Sequence, residues 1–455
     1  MMKLVNAYNN FFQRYFPSPL SIAILLSVLS FLLAFVFTQG TGSYASYIGE
    51  LAEHWFEGVF KSSLLEFTVH MMLILVLGHV IALSKPAKRV IDFVLSYCTN
   101  TARSALLVSL LTILVSFFNW GFALIFGAIF ARKVGEKFQR EQRVLNYPLV
   151  AVAAYVGMMV WHGGLSGSAP LTVAGAAHTY VNEIGVIGLG ETILSRLNIF
   201  NSILIVVVVP MFFYFIGKKG ISESIPKIQF SNEKIKRDSD STSPADRMEN
   251  SSLVGGLFGG VLILYFIFLS WQKVSMGLSF LSLLNLQSTN LLLLGLAFFL
   301  QGSIRNFLGA VSEAIGDVSG ILIQFPLYFG IMGIIQGSGL AGLIANMFTQ
   351  LSNDVTLPIF TFLSAGILNI FVPSGGGQWQ IQAPIIIESA AKSGVKIQKL
   401  IMAMSYGDQL TNMLQPFWAL PLLGITQLSA KDILPYCLLV FLVGFSIFTL
   451  TLLVF

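Results

Sequence analysis

The sequence predicts an all-α polytopic membrane protein built as inverted repeats, each with a re-entrant hairpin and a discontinuous transmembrane helix. Three observations predict it. Of 455 residues, 55% are hydrophobic and only 10% are charged, where soluble domains carry roughly 25% charged residues. Apolar runs long enough to cross a bilayer, about 20 residues each, recur along the whole chain. Finally, polar and Gly-rich interruptions fall inside apolar sequence at matching places in two halves.

The uninterrupted spans come first. Leu20–Phe37, Leu64–Leu83, Ile199–Ile216, Leu253–Leu269 and Ile433–Phe455 are the clearest, with Val318–Ile335 and Thr289–Leu300 beside them. The first reads as a retained helix rather than a cleaved signal. Pro17-Ser18-Pro19 precedes it and no small-residue cleavage site follows. Residues 1–63 then comprise this helix and an external loop. Residues 64–217 are a first repeat, 218–252 a flexible cytoplasmic linker, 253–317 connecting helices, and 318–455 a second repeat.

Charge sets the orientation. Lys85, Lys88 and Arg89 form one basic cluster, Arg132 to Arg143 a second, and Lys218 to Arg237 a third. Such clusters mark the cytoplasmic side, so the net charge of +5 speaks for membrane orientation and not for nucleic acid. Lys392, Lys396 and Lys399 fit this topology less well. The run Ser104–Ala131 has basic loops at both ends, so it enters and leaves on one side as a hairpin (about 104–131). By the repeat, 356–390 is the second hairpin, entering from the opposite side. A broken helix follows each hairpin, at about 147–177 and 398–427. The repeats match in the order of their features: Asn119 with Asn369, and Tyr155-Val156-Gly157 with Tyr406-Gly407.

Four breaks carry the candidate chemistry. They are Asn119-Trp120-Gly121; His162 to Pro170 (HGGLSGSAP); Asn369 to Gln380 (NIFVPSGGGQWQ); and Tyr406 to Pro416 (YGDQLTNMLQP). Gly and Pro interrupt helices, and unpaired backbone at membrane depth must be buried or line a cavity. Free N–H groups at a broken helix favour an anion, and free carbonyls favour a cation. The candidate contacts are Asn119, Trp120, Gly121, His162, Gly163, Gly164, Ser166, Gly167, Ser168, Asn369, Pro373, Ser374, Gly375, Gly376, Gly377, Gln378, Asp408, Thr411 and Asn412. Gly used only for close packing is the plain alternative. Asp408 reads as a coupling-ion or proton carrier, or as a helix-end residue at the interface. His162 reads as a titrating donor or as a core histidine. His70 and His79 read as structural, Glu388 as interfacial, and Cys98 and Cys437 as buried thiols. Trp120, Trp161 and Trp379 flank the breaks and could wall a pocket for a short acyl chain.

No Arg lies in any break, which favours a monoanion held by N–H groups, hydroxyls and amides. SGGG at Ser374 lacks the Lys-Ser/Thr ending of a P-loop, and no hydrolase or metalloprotease motif occurs. Sequence alone therefore indicates a transporter and no enzyme, with no cofactor beyond a coupling ion.

The segments NIFVPSGGGQWQIQAP, YGDQLTNMLQPFWALPLLGI, FFNWGFALIFGAIFARKVGE and YPLVAVAAYVGMMVWHGGLSGSAPLTVAG resemble the short-chain fatty acid transporter family (AtoE type) of the ion-transporter superfamily. The resemblance implies uptake of short-chain monocarboxylates such as acetoacetate or butyrate by symport in the bacterial inner membrane. It also implies an elevator-like motion and a homodimer. It leaves sodium or proton as the coupling ion, with sodium candidates at the Asn119 and Asn369 tips. A dicarboxylate or small-peptide carrier of the same superfamily is the alternative, followed by a non-transporting membrane sensor.

Overall fold

The computed structural model describes residues 14, 17–40, 42–176, 178–229, 243–276 and 286–455. Its elements in order are α1 (Pro19–Phe37), α2 (Tyr44–Val59), α3 (Ser62–Ala82), α4 (Lys85–Leu95), α5 (Thr101–Ser116), α6 (Trp120–Arg140), α7 (Tyr147–Tyr155), α8 (Ser168–Val173), α9 (Val181–Ile184), α10 (Arg196–Gly217), α11 (Pro244–Asn250) and α12 (Ser252–Ser275). There follow α13 (Leu286–Gln301), α14 (Ile304–Ala314), α15 (Ser319–Gly337), α16 (Leu340–Gln350), α17 (Leu357–Phe371), α18 (Gly375–Ser393), α19 (Ile397–Thr411), α20 (Pro416–Thr426) and α21 (Ala430–Val454). Among the described residues, seven helical runs are long and apolar enough to cross a membrane, and α13–α14 form a further pair bent by 120°. The fold is all-helical and polytopic, as its composition requires.

The helix order repeats. The pair α5–α6 precedes α7, a stretch of 3₁₀ turns (Val156–Met159, Trp161–Gly163) and α8; the pair α17–α18 precedes α19, a 3₁₀ turn (Asn412–Leu414) and α20. Local sequence sets each boundary. Asn119 Oδ1 accepts from Phe122 N–H at 2.9 Å and starts α6; Ser374 Oγ accepts from Gly377 N–H at 3.2 Å and starts α18. Such caps satisfy N–H groups a helix start leaves free. Pro416 stands at the first position of α20, where its missing N–H costs nothing.

Two sequence expectations change. The external loop in 1–63 contains helix α2, because Tyr47, Leu51 and Gly58 recur at helical spacing and are buried. α2 packs on α15: a Cβ on Gly58 would lie 2.3 Å from Phe329 O, and one on Gly333 2.1 Å from His54 O. The flexible-linker reading also fails in part. Residues 218–229 are docked across the helix ends. Gln139 Nε2 donates to Ile228 O at 3.1 Å and Gln139 Oε1 accepts from Ile228 N–H at 2.9 Å. Gln427 makes the same two-way exchange with Gln229. Side-chain amides that pair with both backbone groups hold an irregular strand as a ladder would. The 230–242 part of the linker lies outside the described residues.

His70 pairs with Glu66 at 3.4 Å and with Asn290 at 3.1 Å, and His79 is buried. Both cysteines are free and buried; burial pushes the Cys98 thiol up to about 11.

α17 packs on α19 as closely as α2 does on α15. A Cβ on Gly407 would stand 2.1 Å from Phe362 O and 2.8 Å from Ala365 Cβ. Gly407→Ala is expected to cost at least ~1–3 kcal/mol through overpacking, seen as a lower thermal midpoint of the detergent-solubilised protein. An unchanged midpoint would show that the helices can separate freely.

Candidate substrate site where the two broken helices meet

The first hairpin tip lies against the break of its own half. Leu165 N–H donates to Phe117 O at 2.7 Å, and Trp120 N–H donates to Ser166 Oγ at 3.2 Å. The approach requires glycine: a Cβ on Gly164 would be 2.8 Å from Phe117 O, and one on Gly167 2.1 Å from His162 O. Gly121 sits apart from this contact, and a Cβ there would face Ile74 of α3.

The second tip reaches both breaks. Asn369 Nδ2 lies 2.8 Å from Asp408 O, 2.9 Å from Thr411 Oγ1 and 2.7 Å from Asn412 Oδ1. An amide nitrogen thus sits among three oxygens. Just past Pro373 and the Ser374 cap, Gly375 packs on the first break, since a Cβ there would be 2.6 Å from His162 Cε1. The nearest neighbour to a Cβ on Gly376 would be Ser168, at 3.8 Å. Gln378 Nε2 donates to Ala365 O at 2.7 Å within the hairpin. Asn119 and Asn369 are therefore not equivalent. Asn119 caps the second arm of its hairpin, whereas Asn369 lies inside the first arm of its own, and the matching cap is Ser374.

The breaks also bind each other. His162 Nδ1 and Asp408 Oδ2 are 2.6 Å apart, with both side chains buried. Gln409 Oε1 accepts from His162 N–H at 3.0 Å and from Gly163 N–H at 3.1 Å. In return, Tyr155 Oη donates to Asn412 O at 2.7 Å. Asn198 Nδ2 donates to Gly163 O at 2.8 Å, and Tyr406 Oη donates to Asn198 Oδ1 at 3.0 Å. Gln415 Nε2 donates to Asn369 O at 2.5 Å. Asp408 is wholly buried inside α19.

Several buried polar atoms around this junction have no hydrogen-bond partner. Asn369 Oδ1, Asp408 Oδ1 and Gln415 Oε1 are acceptors; Trp161 Nε1 and Asn412 Nδ2 are donors. Native interiors leave few such groups without a reason. The set offers N–H groups to a carboxylate and oxygens to a cation or proton.

An aromatic wall adjoins the junction. Trp120 contacts Trp161 with ring centroids 5.8 Å apart and Trp418 at 5.0 Å. Phe67 of α3 reaches Trp120 at 6.3 Å, and Phe325 of α15 stacks on Phe417 at 3.9 Å. Trp379 lies apart from this wall, against Tyr180. A separate charged cavity of about 760 Å³ is lined by Lys88, Arg132, Glu136 and Lys137, among others, and shares no lining residue with the junction.

Sequence reasoning missed Gln409, Gln415, Asn198 and Trp418. Gln409 and Gln415 stood within a quoted break, and a search for uncharged groups that could answer freed backbone would have found them. Asn198 carries no local signal.

A multi-pass helical protein whose two interrupted helices meet at a buried polar junction has the architecture of many secondary transporters, and comparison with known proteins makes the assignment specific. The model of the family described as "Short chain fatty acid transporter" matches residues 1–455. A protein of Escherichia coli K12, named as a candidate short-chain fatty acid transporter, is 33% identical over 96% of this chain and 98% of its own. One of Haemophilus influenzae with the same name is 34% identical over 94% of each chain. The crystal structure of the YdaH transporter of Alcanivorax borkumensis is more remote, at 15% identity and a TM-score of 0.44 over 95% of this chain and 98% of that one. The chain belongs to the short-chain fatty acid transporter family, a family of transporters and not enzymes, and is a multi-pass protein of the bacterial inner membrane.

Gln409→Ala removes the acceptor of two buried N–H groups. Each group left unsatisfied costs ~1–3 kcal/mol, so this variant is expected to melt well below wild type in detergent. A midpoint equal to wild type would mean that water replaces the amide.

Proposed function

We propose that this protein carries short-chain monocarboxylates such as acetoacetate and butyrate across the inner membrane, coupled to an inward gradient of sodium or protons. The observation that carries this reading is the set of partnerless buried donors and acceptors at the junction, set beside the aromatic wall. A carboxylate takes the N–H groups. A short acyl chain suits the rings, each added methylene contributing about 0.8 kcal/mol when buried. Among the described residues, the hydrogen-bonded groups of the junction include no Lys or Arg, which favours one negative charge over two. A dicarboxylate or small peptide would call for a second clamp, so that alternative stands behind the first reading; a non-transporting sensor stands behind both.

In this reading the two halves are inverted repeats and the paired arms α5–α6 and α17–α18 are re-entrant hairpins from opposite faces. Hairpins and broken helices move together, elevator-like, past the α3 and α15 rings of a dimeric scaffold. Interlocking hydrogen bonds between the breaks support movement as one body.

The test is uptake of labelled acetoacetate and butyrate into proteoliposomes, above protein-free vesicles, with sodium and proton gradients imposed separately. Accumulation under one gradient is expected. No accumulation of either acid by folded protein, with accumulation of a dicarboxylate or dipeptide, would reverse the order of the readings.

Asn119→Ala and Asn369→Ala are each expected to lower uptake roughly tenfold, a hydrogen-bond loss of about 1.4 kcal/mol, without loss of folded protein. Wild-type uptake by either folded variant would remove that residue from the site.

A further inference from the structure

Among the described residues, His162 and Asp408 form the one ionisable pair that joins the two breaks, and their hydrogen bonds fix the tautomer of the ring. Ala169 N–H donates to His162 Nε2 at 3.0 Å. Nε2 is therefore an acceptor without a proton, and the ring proton is on Nδ1. Nδ1–H then donates to Asp408 Oδ2 at 2.6 Å. The other carboxylate oxygen, Oδ1, is buried and has no partner. With the carboxyl ionised the pair carries one net negative charge in a fully buried site; with Oδ1 protonated it is neutral. Such a charge is expensive unless something neutralises it. His162 has no room to do so, because a proton on Nε2 would face the Ala169 N–H. Its ring is also fixed, stacked on Trp161 at 4.5 Å and packed where a Cβ on Gly375 would stand.

We infer that Asp408 Oδ1, held in place by His162, is the site that takes up the coupling proton. This rests on the transport reading above and deepens it by naming the ion and the atom. The proton enters from the outer side with the carboxylate substrate, forms the Oδ1–H bond and changes the pair from −1 to neutral. It leaves from the same oxygen to the cytoplasm when the substrate departs, restoring the ionised pair. The Oδ1–H group is a donor, so the loaded state offers one more hydrogen bond to an oxygen than the empty state does. Position favours coupling as well: the pair ties the first break to the second, and Gly375 at the start of α18 packs on the imidazole.

Few other ionisable side chains stand on the elements around this pair. The 3₁₀ turns at Val156–Gly163, α8 and α17 contribute no further ionisable side chain. On α19, Tyr406 is spent on Asn198, and Lys399 lies roughly 14 Å back along the axis. On α7, Tyr155 donates to Asn412 O. On α18, Glu388 is roughly 20 Å from Gly375 and pairs with Lys392.

Two measurements test the inference. The first uses wild-type protein in weakly buffered detergent with a pH dye, to which butyrate or acetoacetate is added. Uptake of about one proton per bound carboxylate is expected, beyond that of the ligand alone; binding without proton uptake would overturn the inference and leave the transport reading intact. The second uses proteoliposomes with wild type, Asp408→Asn and His162→Gln. Wild-type accumulation is expected to rise at least tenfold with an inward proton gradient. In both variants the ratio of uptake with and without the gradient should fall to about one. A variant that keeps the wild-type ratio, or wild type driven by sodium and indifferent to the proton gradient, would overturn the assignment. Wild-type protein that neither binds nor exchanges any short-chain carboxylate would instead bring down the transport reading, and the proton site with it.

Discussion

A helix broken inside hydrocarbon must have its freed backbone groups answered from within the protein, because lipid offers them nothing. That constraint organises this molecule. The first break frees the N–H groups of His162 and Gly163, and Gln409 of the second half accepts both. The carbonyl of Gly163 is met by Asn198, and that of Gly157 by Ser116 at 2.6 Å. The second break frees the carbonyls of Asp408 and Asn412, met by Asn369 and by Tyr155 of the first half. Each half thus completes the backbone of the other. Neither broken helix is a finished structure without its counterpart, so the breaks meet where they do because that is where their partners are.

The same constraint explains what was legible in the sequence. Spans and breaks are local properties, written in apolar runs and in Gly, Pro and Asn, and helices stand where the apolar runs do: Ser62–Ala82 over Leu64–Leu83, and Ser319–Gly337 over Val318–Ile335. The answering groups are not local. Asn198 sits inside an otherwise apolar helix, and its partners are 35 and 208 positions away. Matching Asn119 to Asn369 by order of features also failed as geometry, because a cap and a residue inside a helix arm share a letter but not a role. α2 went unread for a different reason: half-buried against α15, it needs only an apolar stripe and so lacks the hydropathy of a span.

Glycine sets how close the parts come. Wherever backbone meets backbone at the junction, a Cβ would collide with a carbonyl, as at Gly164, Gly167 and Gly407. Those residues were candidate contacts or repeat markers in the sequence. Their observed part is spatial: they bring breaks and tips near enough for amide side chains, which reach only about 3 Å between heavy atoms, to bridge them. The polar residues could not do their work on a chain whose glycines were replaced.

Two kinds of contact surround the junction, and they differ in how they respond to displacement. Between the breaks the contacts are hydrogen bonds of 2.6–3.1 Å, which weaken steeply when stretched or bent. At the other end of α20 the link is also directional, Arg132 donating to Ile425 O at 3.1 Å while paired with Glu136. Toward α3 and α15 the contacts are rings, with Phe67 and Phe325 against Trp120, Trp418 and Phe417 at centroid separations of 3.9–6.5 Å. Aromatic contacts tolerate a range of offsets and tilts. A displacement of a few ångströms would therefore cost several buried hydrogen bonds if it parted the breaks, but would only exchange one ring contact for another if it ran along the wall. Of the two surfaces, the one made of rings is where this structure can yield.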